Sequence, residues 1–187
     1  MNNIKHIIGL IGKKHSGKDM FYNLCIELYL ERKISLPSKR FAFADAVKDE
    51  YCMNKNISRL ELNRDKELHR VGLQELGTNR RKDTPNYWVK KIGDELLLFN
   101  KYPYRFFSDH LIIVTDCRFQ NEATFIQELG GKLIRIRRDE TDSSNDTHIS
   151  ETELENIPYD YPLRNEGKKD LYKMQILDTL KQLSYDH

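Results

Sequence analysis

The residues best suited to chemistry lie in one short segment near the start of the sequence. Gly12, Gly17 and Lys18 meet the spacing G-x-x-x-x-G-K. Glycines at this spacing let successive backbone N–H groups turn inward around an anion, and a following helix adds its positive end. The lysine of such a segment reaches the β- and γ-phosphates of a nucleotide. We therefore predict an ATP-binding phosphate loop with eight members: Gly12, Lys13, Lys14, His15, Ser16, Gly17, Lys18 and Asp19.

Two carboxylates are candidates for holding Mg²⁺ beside that loop. Asp19 stands where the motif has Ser or Thr, whose hydroxyl ligates the ion. A carboxylate can replace the hydroxyl directly or through water, although it also repels phosphate. Asp116 follows the apolar run 111–115, where a second acidic element holds the metal, and helix or turn capping is its alternative role. Arg118 has a planar guanidinium suited to bidentate phosphate binding.

The hydrophobic pattern predicts a scaffold that brings these residues to one edge of a sheet. Short apolar and β-branched runs predict strands at residues 4–11, 40–44, 111–115, 132–136 and 161–164. Helical patterns cover residues 17–32, most of 45–100 with an interruption at 77–86, 120–129 and 169–184. Strands that alternate with helices predict an α/β fold with three layers, in which a central parallel five-stranded sheet has helices on both faces.

Charge and composition narrow the class of partner. The 187 residues include 31 Lys and Arg and 29 Asp and Glu, and the basic residues form small separate clusters. Residues 139–163 contain no Lys or Arg at all. Small clusters suit a compact anion better than the broad basic surface of a DNA-binding protein, so nucleic acid is not the expected partner.

The same composition predicts a cytoplasmic protein without a membrane partner. No run approaches the roughly 18 apolar residues that span a bilayer, and the first residues do not have the pattern of a signal peptide. Cys25, Cys52 and Cys117 are widely separated and lack metal-ligand spacing, so we expect reduced packing residues.

Several sequence blocks together resemble the deoxynucleoside monophosphate kinases of tailed bacteriophages. They occur in the family's order from about residue 4 to residue 167, and the phosphate loop with its G-K-D ending is the first. More distantly, the chain resembles animal phosphomevalonate kinase, which shares that ending and a D-x-R strand end. The further blocks are Phe43-Ala44-Asp45-Ala46-Val47-Lys48, Leu76-Gly77-Thr78, Tyr87-Trp88-Val89, Asp116-Cys117-Arg118 and Asn145-Asp146-Thr147-His148-Ile149-Ser150-Glu151.

The resemblance implies transfer of the γ-phosphoryl of ATP, with Mg²⁺, to a deoxynucleoside 5′-monophosphate. It implies one P-loop kinase domain over residues 1–187, with an acceptor-binding helical insertion at about 45–100 and a mobile lid at about 138–156. Catalytic roles fall to Lys18, Arg118, Arg137 and Arg138, and metal binding to Asp19 and Asp116. Asn165 and Gly167 would border the adenine. The acceptor would meet Asp45, Lys48, Arg81, Trp88 and Arg118, with core packing as the alternative for Trp88 and a solvated turn as the alternative for Arg81.

Other functions remain open at this stage. A kinase for another small acceptor, or for a modified base in DNA, would keep the same donor site, and a non-catalytic switch would bind ATP without transfer. The sequence also leaves open the nucleobase, the sugar, the formation of a homodimer and a phage origin, which would place the protein in the host cytoplasm.

Overall fold

The computed structural model describes residues 6–101, 110–139 and 153–183. The chain divides into two compact units, one formed by Met1–Phe41 with Tyr102–His187 and the other by Ala42–Lys101. The helices in the described residues are α1 (Lys18–Leu30), α2 (Phe43–Lys55), α3 (Arg59–Arg64), α4 (Lys66–Asp83), α5 (Tyr87–Lys101), α6 (Gln120–Glu128) and α7 (Lys169–Gln182).

The first unit is built on a five-stranded parallel sheet with the strand order β2-β3-β1-β4-β5. The strands are β1 (Ile7–Ile11), β2 (Ser38–Phe41), β3 (Leu111–Cys117), β4 (Lys132–Arg137) and β5 (Tyr161–Arg164). β1 is apolar and buried along its whole length, and β3 is apolar up to Val114, because both faces of these strands are covered, as expected for a parallel sheet. This arrangement confirms the predicted fold class.

The connections of β1 and β3 leave the sheet in opposite directions. From β1 the chain passes through α1 to β2, whereas from β3 it passes through α6 to β4, on the other side of β1. Right-handed crossovers place such helices on opposite faces of the sheet. Accordingly, α1 packs on β2, β3 and α7, while α6 packs on β1 and β4. The carboxyl ends of β1 and β3 therefore form the switch point at which open α/β sheets bind ligands.

The core of this unit follows from the alternation of side chains along the strands. Ile8 and Leu10 point toward α1 and α7, where they join a buried cluster with Phe21 and Tyr172. Gly9 points the other way, and a Cβ on it would lie 3.4 Å from side-chain carbons of Ile126 on α6. The central strand β1 therefore packs against the helices on both faces of the sheet.

The second unit, Ala42–Lys101, consists of the four helices α2 to α5 joined by short turns, and in the sequence it is inserted between β2 and β3. Tyr51, Cys52 and Leu62 form its small buried cluster. Ser58 begins α3 with a capping box, since its Oγ accepts from the N–H of Glu61 while the Glu61 carboxylate accepts from the N–H of Ser58. The acceptor-binding role of this insertion stays a prediction.

The predicted bounds of the second strand and of the helical region that follows it are wrong. The second strand ends at Phe41, and Phe43 already opens α2 after an extended Ala42. The interruption predicted at residues 77–86 is confined to Thr84–Pro85–Asn86, because α4 continues through Gly77 to Asp83. A single glycine costs a helix only about 1 kcal/mol, and Gly77 keeps its helical place with its carbonyl oxygen accepting two side-chain hydrogen bonds.

The three cysteines are free and buried. None of the helices in the described ranges is both long enough and apolar enough to cross a membrane.

Candidate active site

The phosphate loop joins β1 to α1 and has the backbone of an anion-binding nest. His15 and Gly17 have positive φ angles of 65° and 110°, while the residue between them does not. Left-handed residues in alternation turn successive N–H groups toward one concave side. The loop enters α1 at Lys18, so the positive end of that helix faces the same region.

Gly12 begins the loop because no larger residue fits there. A Cβ on Gly12 would lie 2.5 Å from the carbonyl oxygen of Ile136 and 2.6 Å from Oγ of Ser16, and Ser16 itself is fully buried. The loop is therefore packed tightly on β4, which fixes the position of its first turn.

Lys18 is held across the loop that precedes it. Its Nζ donates to the carbonyl oxygens of Gly12 and Lys13, each at 2.6 Å, and lies 3.4 Å from Oγ of Ser16. Lys18 is only 8% exposed. A cation with little contact with water interacts strongly with an anion placed beside it, so this geometry suits phosphate binding.

The end of β3 brings the second acidic element beside the loop. Gly9 pairs with Val114 and Ile11 pairs with Cys117, so β3 contains one residue more than β1 over this stretch. Such an irregularity re-aims side chains at the end of a strand. It places Asp116, which belongs to β3 rather than following it, level with the last residues before Gly12.

Glu122 is a site residue that the sequence analysis missed. Its carboxylate is 1% exposed and accepts from the backbone N–H groups of Arg118 at 2.9 Å and Phe119 at 3.2 Å. It thereby fixes the backbone of the Asp116–Arg118 segment at the start of α6. The signal in the sequence was a Glu at the third position of a helix, which commonly reaches back to the N-cap.

Cys117 lies between the two predicted site residues of β3 but is not a nucleophile. Burial, together with the negative charges of Glu122 and Asp116, raises the pKa of its thiol well above the usual range. The thiol therefore stays protonated, and the cysteine serves packing.

A cleft of about 330 Å³ opens at the carboxyl ends of β4 and β5. Three of its lining residues, Arg137, Arg138 and Asn165, were predicted from the sequence. Arg164 was not, although it pairs with Arg137 across the two strands. The remaining lining residues are Asp139 and Glu166. Three guanidinium groups at one opening suit an anionic ligand.

Asn165 contacts the phosphate loop itself. Its Nδ2 donates to the carbonyl oxygen of Ser16 at 3.0 Å, and its Oδ1 accepts from the N–H of Gly167 at 3.2 Å. Most of the predicted lid lies outside the described residues.

Arg81 and Trp88, both predicted to bind the acceptor, lie in the second unit and share one backbone partner. Arg81 Nη1 and Trp88 Nε1 donate to the carbonyl oxygen of Gly77, at 3.1 Å and 3.0 Å. Trp88 is 1% exposed, which is the core packing that the sequence analysis gave as its alternative. Arg81 occupies the last turn of α4, not a solvated turn.

Asp45 and Lys48, which were also predicted to bind the acceptor, form an ion pair. Asp45 Oδ1 accepts from Lys48 Nζ at 2.9 Å and from Arg59 Nη2 at 3.0 Å. Arg59, which the sequence analysis did not single out, also lies 3.4 Å from Asp49. Lys48 is thus already neutralised by a carboxylate one helical turn away.

A second network surrounds Glu50, whose side chain is 9% exposed. Its carboxylate accepts from Arg80 Nε at 2.7 Å and from the Tyr87 hydroxyl at 2.6 Å, with Lys91 Nζ at 3.5 Å. The guanidinium of Arg80 also lies over the Tyr87 ring, 5.1 Å from its centroid. Arg80 therefore connects α4 to α2 and α5.

Comparison with known proteins bears on the class of this site. The family model described as phosphomevalonate kinase matches residues 10–132. A protein of Acanthamoeba polyphaga mimivirus, named "Putative deoxynucleotide monophosphate kinase", is 32% identical over 209 residues, which cover 95% of this chain and 97% of that protein.

Solved structures of similar fold include two kinases. The APS kinase of Mycobacterium tuberculosis has a TM-score of 0.46 and 14% identity, with 94% of this chain and 96% of that chain covered. The shikimate kinase of Aquifex aeolicus has a TM-score of 0.47 and 14% identity, with 97% and 99% covered.

A phosphate loop after the central strand of a parallel sheet, in a chain homologous to kinases, defines a P-loop kinase. More particularly, the chain belongs to the phosphomevalonate kinase family, whose model spans more than half of its length. The mimivirus homologue provides a viral relative, and a bacteriophage origin stays a prediction.

Proposed function

We propose that this protein transfers the γ-phosphoryl group of ATP to a deoxynucleoside 5′-monophosphate and forms the diphosphate. The observation that carries the proposal is the phosphate loop, in which Lys18 Nζ is held 2.6 Å from the carbonyls of Gly12 and Lys13. The name of the mimivirus homologue supports the acceptor class.

The donor site is assigned to the first unit. The loop backbone would bind the phosphates of ATP, and Lys18 would turn from the loop carbonyls to the β- and γ-phosphate oxygens. The cleft that Arg137, Arg138 and Arg164 line supplies positive charge at the neighbouring strand ends. Asn165 lines this cleft and donates to the loop carbonyl of Ser16, and the N–H of Gly167 donates to Asn165.

The residues near the loop fit Mg²⁺, which prefers oxygen ligands and retains several of its waters. Asp19 is exposed in the first turn of α1, and Asp116 is partly exposed at the end of β3. These two carboxylates would hold the ion, and when bound it would neutralise charge on the phosphates of ATP.

The reaction needs little covalent chemistry from the protein. An oxygen of the acceptor phosphate forms a bond to the γ-phosphorus, the bond from that phosphorus to the β–γ bridging oxygen breaks, and ADP leaves. Because the acceptor is already an anion near neutral pH, no strong general base is required. Lys18, Arg118, Arg137 and Arg138 would stabilise the charge that develops on the transferred group.

Arg81 is the candidate for binding the acceptor phosphate. Its neighbour Arg80 donates to the carboxylate of Glu50, while Arg81 donates to the neutral carbonyl of Gly77. Arg80 is held by a buried carboxylate. The resemblance to the nucleoside monophosphate kinases places Arg81 like an acceptor-phosphate arginine, so we assign the acceptor phosphate to Arg81.

Phosphomevalonate is a second candidate acceptor, favoured by the match of the family model. It presents a phosphate monoester, as a nucleoside monophosphate does, so the donor half of the mechanism would be unchanged. The two acceptors differ in the remainder of the molecule, and a direct assay separates them.

The deciding experiment incubates the protein with MgATP and one acceptor at a time, and measures both ADP release and the phosphorylated product. The panel contains the deoxy- and ribonucleoside monophosphates, phosphomevalonate, and an oligonucleotide with a modified base. We expect a deoxynucleoside diphosphate as product. Product from phosphomevalonate or the oligonucleotide alone would reassign the acceptor, and ATP binding without any transfer would favour a nucleotide-dependent switch.

A further inference from the structure

Asn165 is a buried amide that joins the end of β5 to the phosphate loop. It is 3% exposed, and its backbone N–H donates to the carbonyl oxygen of Arg137 at 2.8 Å. Its Oδ1 accepts from the N–H of Gly167, which fixes the orientation of the carboxamide. The Nδ2 group therefore faces the loop, where it donates to the carbonyl oxygen of Ser16 at 3.0 Å.

This hydrogen bond sets the orientation of one loop peptide. In a planar trans peptide the C=O and N–H groups point in opposite directions. Because the Ser16 carbonyl faces Asn165, the N–H of Gly17 in the same peptide faces away from it. Gly17 has φ of 110°, and a Cβ there would lie 2.3 Å from Nδ2 of Asn165. Only glycine allows this close approach.

The next peptide of the loop is held by two hydrogen bonds. The carbonyl oxygen of Gly17 accepts from the backbone N–H of Phe21 at 2.9 Å, in the first turn of α1, and also from the hydroxyl of Tyr172 on α7 at 3.4 Å. Burial, with a smaller contribution from Cys25, raises the pKa of Tyr172 above its usual value. The hydroxyl therefore keeps the proton that it donates, and this longer bond is the weaker of the two anchors.

We propose that Asn165 is a positioning residue for polyphosphate binding: its carboxamide holds the Ser16–Gly17 peptide in the orientation that the nest requires, with Tyr172 as a second anchor. The proposal rests on the proposed function in taking a nucleotide polyphosphate as the ligand of the loop. It differs from the sequence-based expectation, in which Asn165 borders the adenine. A loop that is oriented before the ligand arrives binds it more tightly, because less ordering accompanies binding.

A residue that positions the loop and a residue that borders the adenine should respond differently to a ligand without adenine. We would measure by calorimetry the Kd for MgATP and the Kd for inorganic tripolyphosphate, using the wild-type protein, Asn165→Ala and Asn165→Asp. In Asn165→Ala, the loss of one orienting hydrogen bond should raise the Kd for both ligands about 10-fold. Asn165→Asp should weaken both further, because a carboxylate repels the Ser16 carbonyl as well as the ligand. Tyr172→Phe should weaken both about 2-fold to 3-fold.

A matched control separates positioning from general stability. Thr179 lies on α7, is 7% exposed and donates from its hydroxyl to the carbonyl oxygen of Gln175. Thr179→Val removes a buried hydrogen bond from the same helix without touching the loop. We expect Thr179→Val to lower the urea midpoint of unfolding and to leave both Kd values unchanged.

Several outcomes would overturn the proposal. They are an unchanged tripolyphosphate Kd in Asn165→Ala and Asn165→Asp, weaker binding of ATP alone, or no tripolyphosphate binding by the wild-type protein. If Asn165→Ala does not fold, Asn165→Asp decides, since it keeps the size of the side chain and removes the Nδ2 donor. Failure of the proposed acceptor is a separate result. If no deoxynucleotide is phosphorylated but the variants bind tripolyphosphate more weakly than the wild-type protein, the acceptor assignment is wrong and the role of Asn165 stands.

Discussion

Arg80 donates from its Nε to Oε1 of Glu50 at 2.7 Å, whereas the adjacent Arg81 donates to the backbone carbonyl of Gly77 at 3.1 Å. Two arginines that are neighbours in sequence thus make different contacts. Arg80 joins α4 to the buried carboxylate of Glu50 on α2, while this hydrogen bond of Arg81 stays within α4. Because their residue type is the same, each serves as the control for the other.

Arg81→Ala should raise the KM for the acceptor about 10-fold to 100-fold and leave the KM for ATP within about 2-fold, since a charged hydrogen bond to phosphate contributes about 1.5 to 3 kcal/mol. Steady-state kinetics with each substrate varied in turn would measure both values.

Arg80→Ala should show the opposite pattern. It leaves the Glu50 carboxylate with fewer hydrogen bonds, so we expect a lower urea midpoint of unfolding and a smaller change in acceptor KM than in Arg81→Ala. An equal rise of acceptor KM in the two variants, or no rise in Arg81→Ala, would contradict the assignment.

The sheet and most of its helices were predictable because their signals are local. A strand such as β5, Tyr161–Arg164, has the predicted bounds, and the phosphate loop combines a fixed glycine spacing with an apolar strand before it. The bounds of the second strand are not predictable from its sequence, because Phe43 and Ala44 suit a strand and a helix alike and tertiary context decides between them. A glycine such as Gly77 favours a helix break, but α4 continues through it, and its carbonyl oxygen accepts hydrogen bonds from the side chains of Arg81 and Trp88.

The networks around the candidate site were not predictable, because distant residues form them. Glu50 meets Arg80 and Tyr87, which follow it by 30 and 37 positions, and Asn165 meets Ser16 across 149 positions. No periodicity or spacing encodes such pairs. Glu122 is the exception, since a Glu at the third position of a helix is a local signal that was available.

Lys18→Ala should abolish phosphoryl transfer while the protein stays folded. Its ammonium donates to the loop carbonyls of Gly12 and Lys13 in this structure, so the substitution removes the charge that would face the phosphates, together with a buried side chain. We expect kcat to fall at least about 100-fold, as for the loss of a single charge-stabilising donor in other enzymes. Lys181→Ala, which removes an exposed lysine from α7, is the control and should keep wild-type kcat. Near-normal turnover in Lys18→Ala, confirmed as folded by circular dichroism, would exclude the loop as the donor site.

Gly17→Ala and Gly130→Ala form a second matched pair. Both glycines have positive φ, 110° and 83°, so each alanine introduces backbone strain of about 1 to 2 kcal/mol. The Cβ at Gly17 would also lie 2.3 Å from Asn165 Nδ2, while nothing lies within 4 Å of a Cβ at Gly130. Both variants should therefore lose stability to urea, and only Gly17→Ala should lose affinity for MgATP, by at least about 10-fold. Equal ATP affinities in the two variants would show that the shape of the loop at Gly17 does not govern binding.

The Glu50 network should make the stability of the protein depend on pH in a defined window. Burial by itself would raise the pKa of Glu50, but the hydrogen bonds from Tyr87 and Arg80 and the charges of Arg80 and Lys91 outweigh it and lower the pKa below the ordinary value of 4.5. A carboxyl group whose pKa is lowered by folding stabilises the protein above its unfolded-state pKa, and this stabilisation is lost as the pH falls through the folded-state pKa.

Glu50→Gln removes this titration and keeps the size of the side chain. We expect the wild-type protein to exceed Glu50→Gln in free energy of unfolding by a constant amount at pH 6 to 8, within the range in which ordinary carboxyl groups are fully ionised. The difference should shrink as the pH falls below 4.5, the ordinary pKa of a glutamate side chain. Urea unfolding of both proteins at a series of pH values measures it, and other carboxylates with lowered pKa, such as Glu61, cancel because both proteins contain them. A difference that does not change between pH 7 and pH 3 would mean that Glu50 is not stabilised as a carboxylate by Arg80, Tyr87 and Lys91.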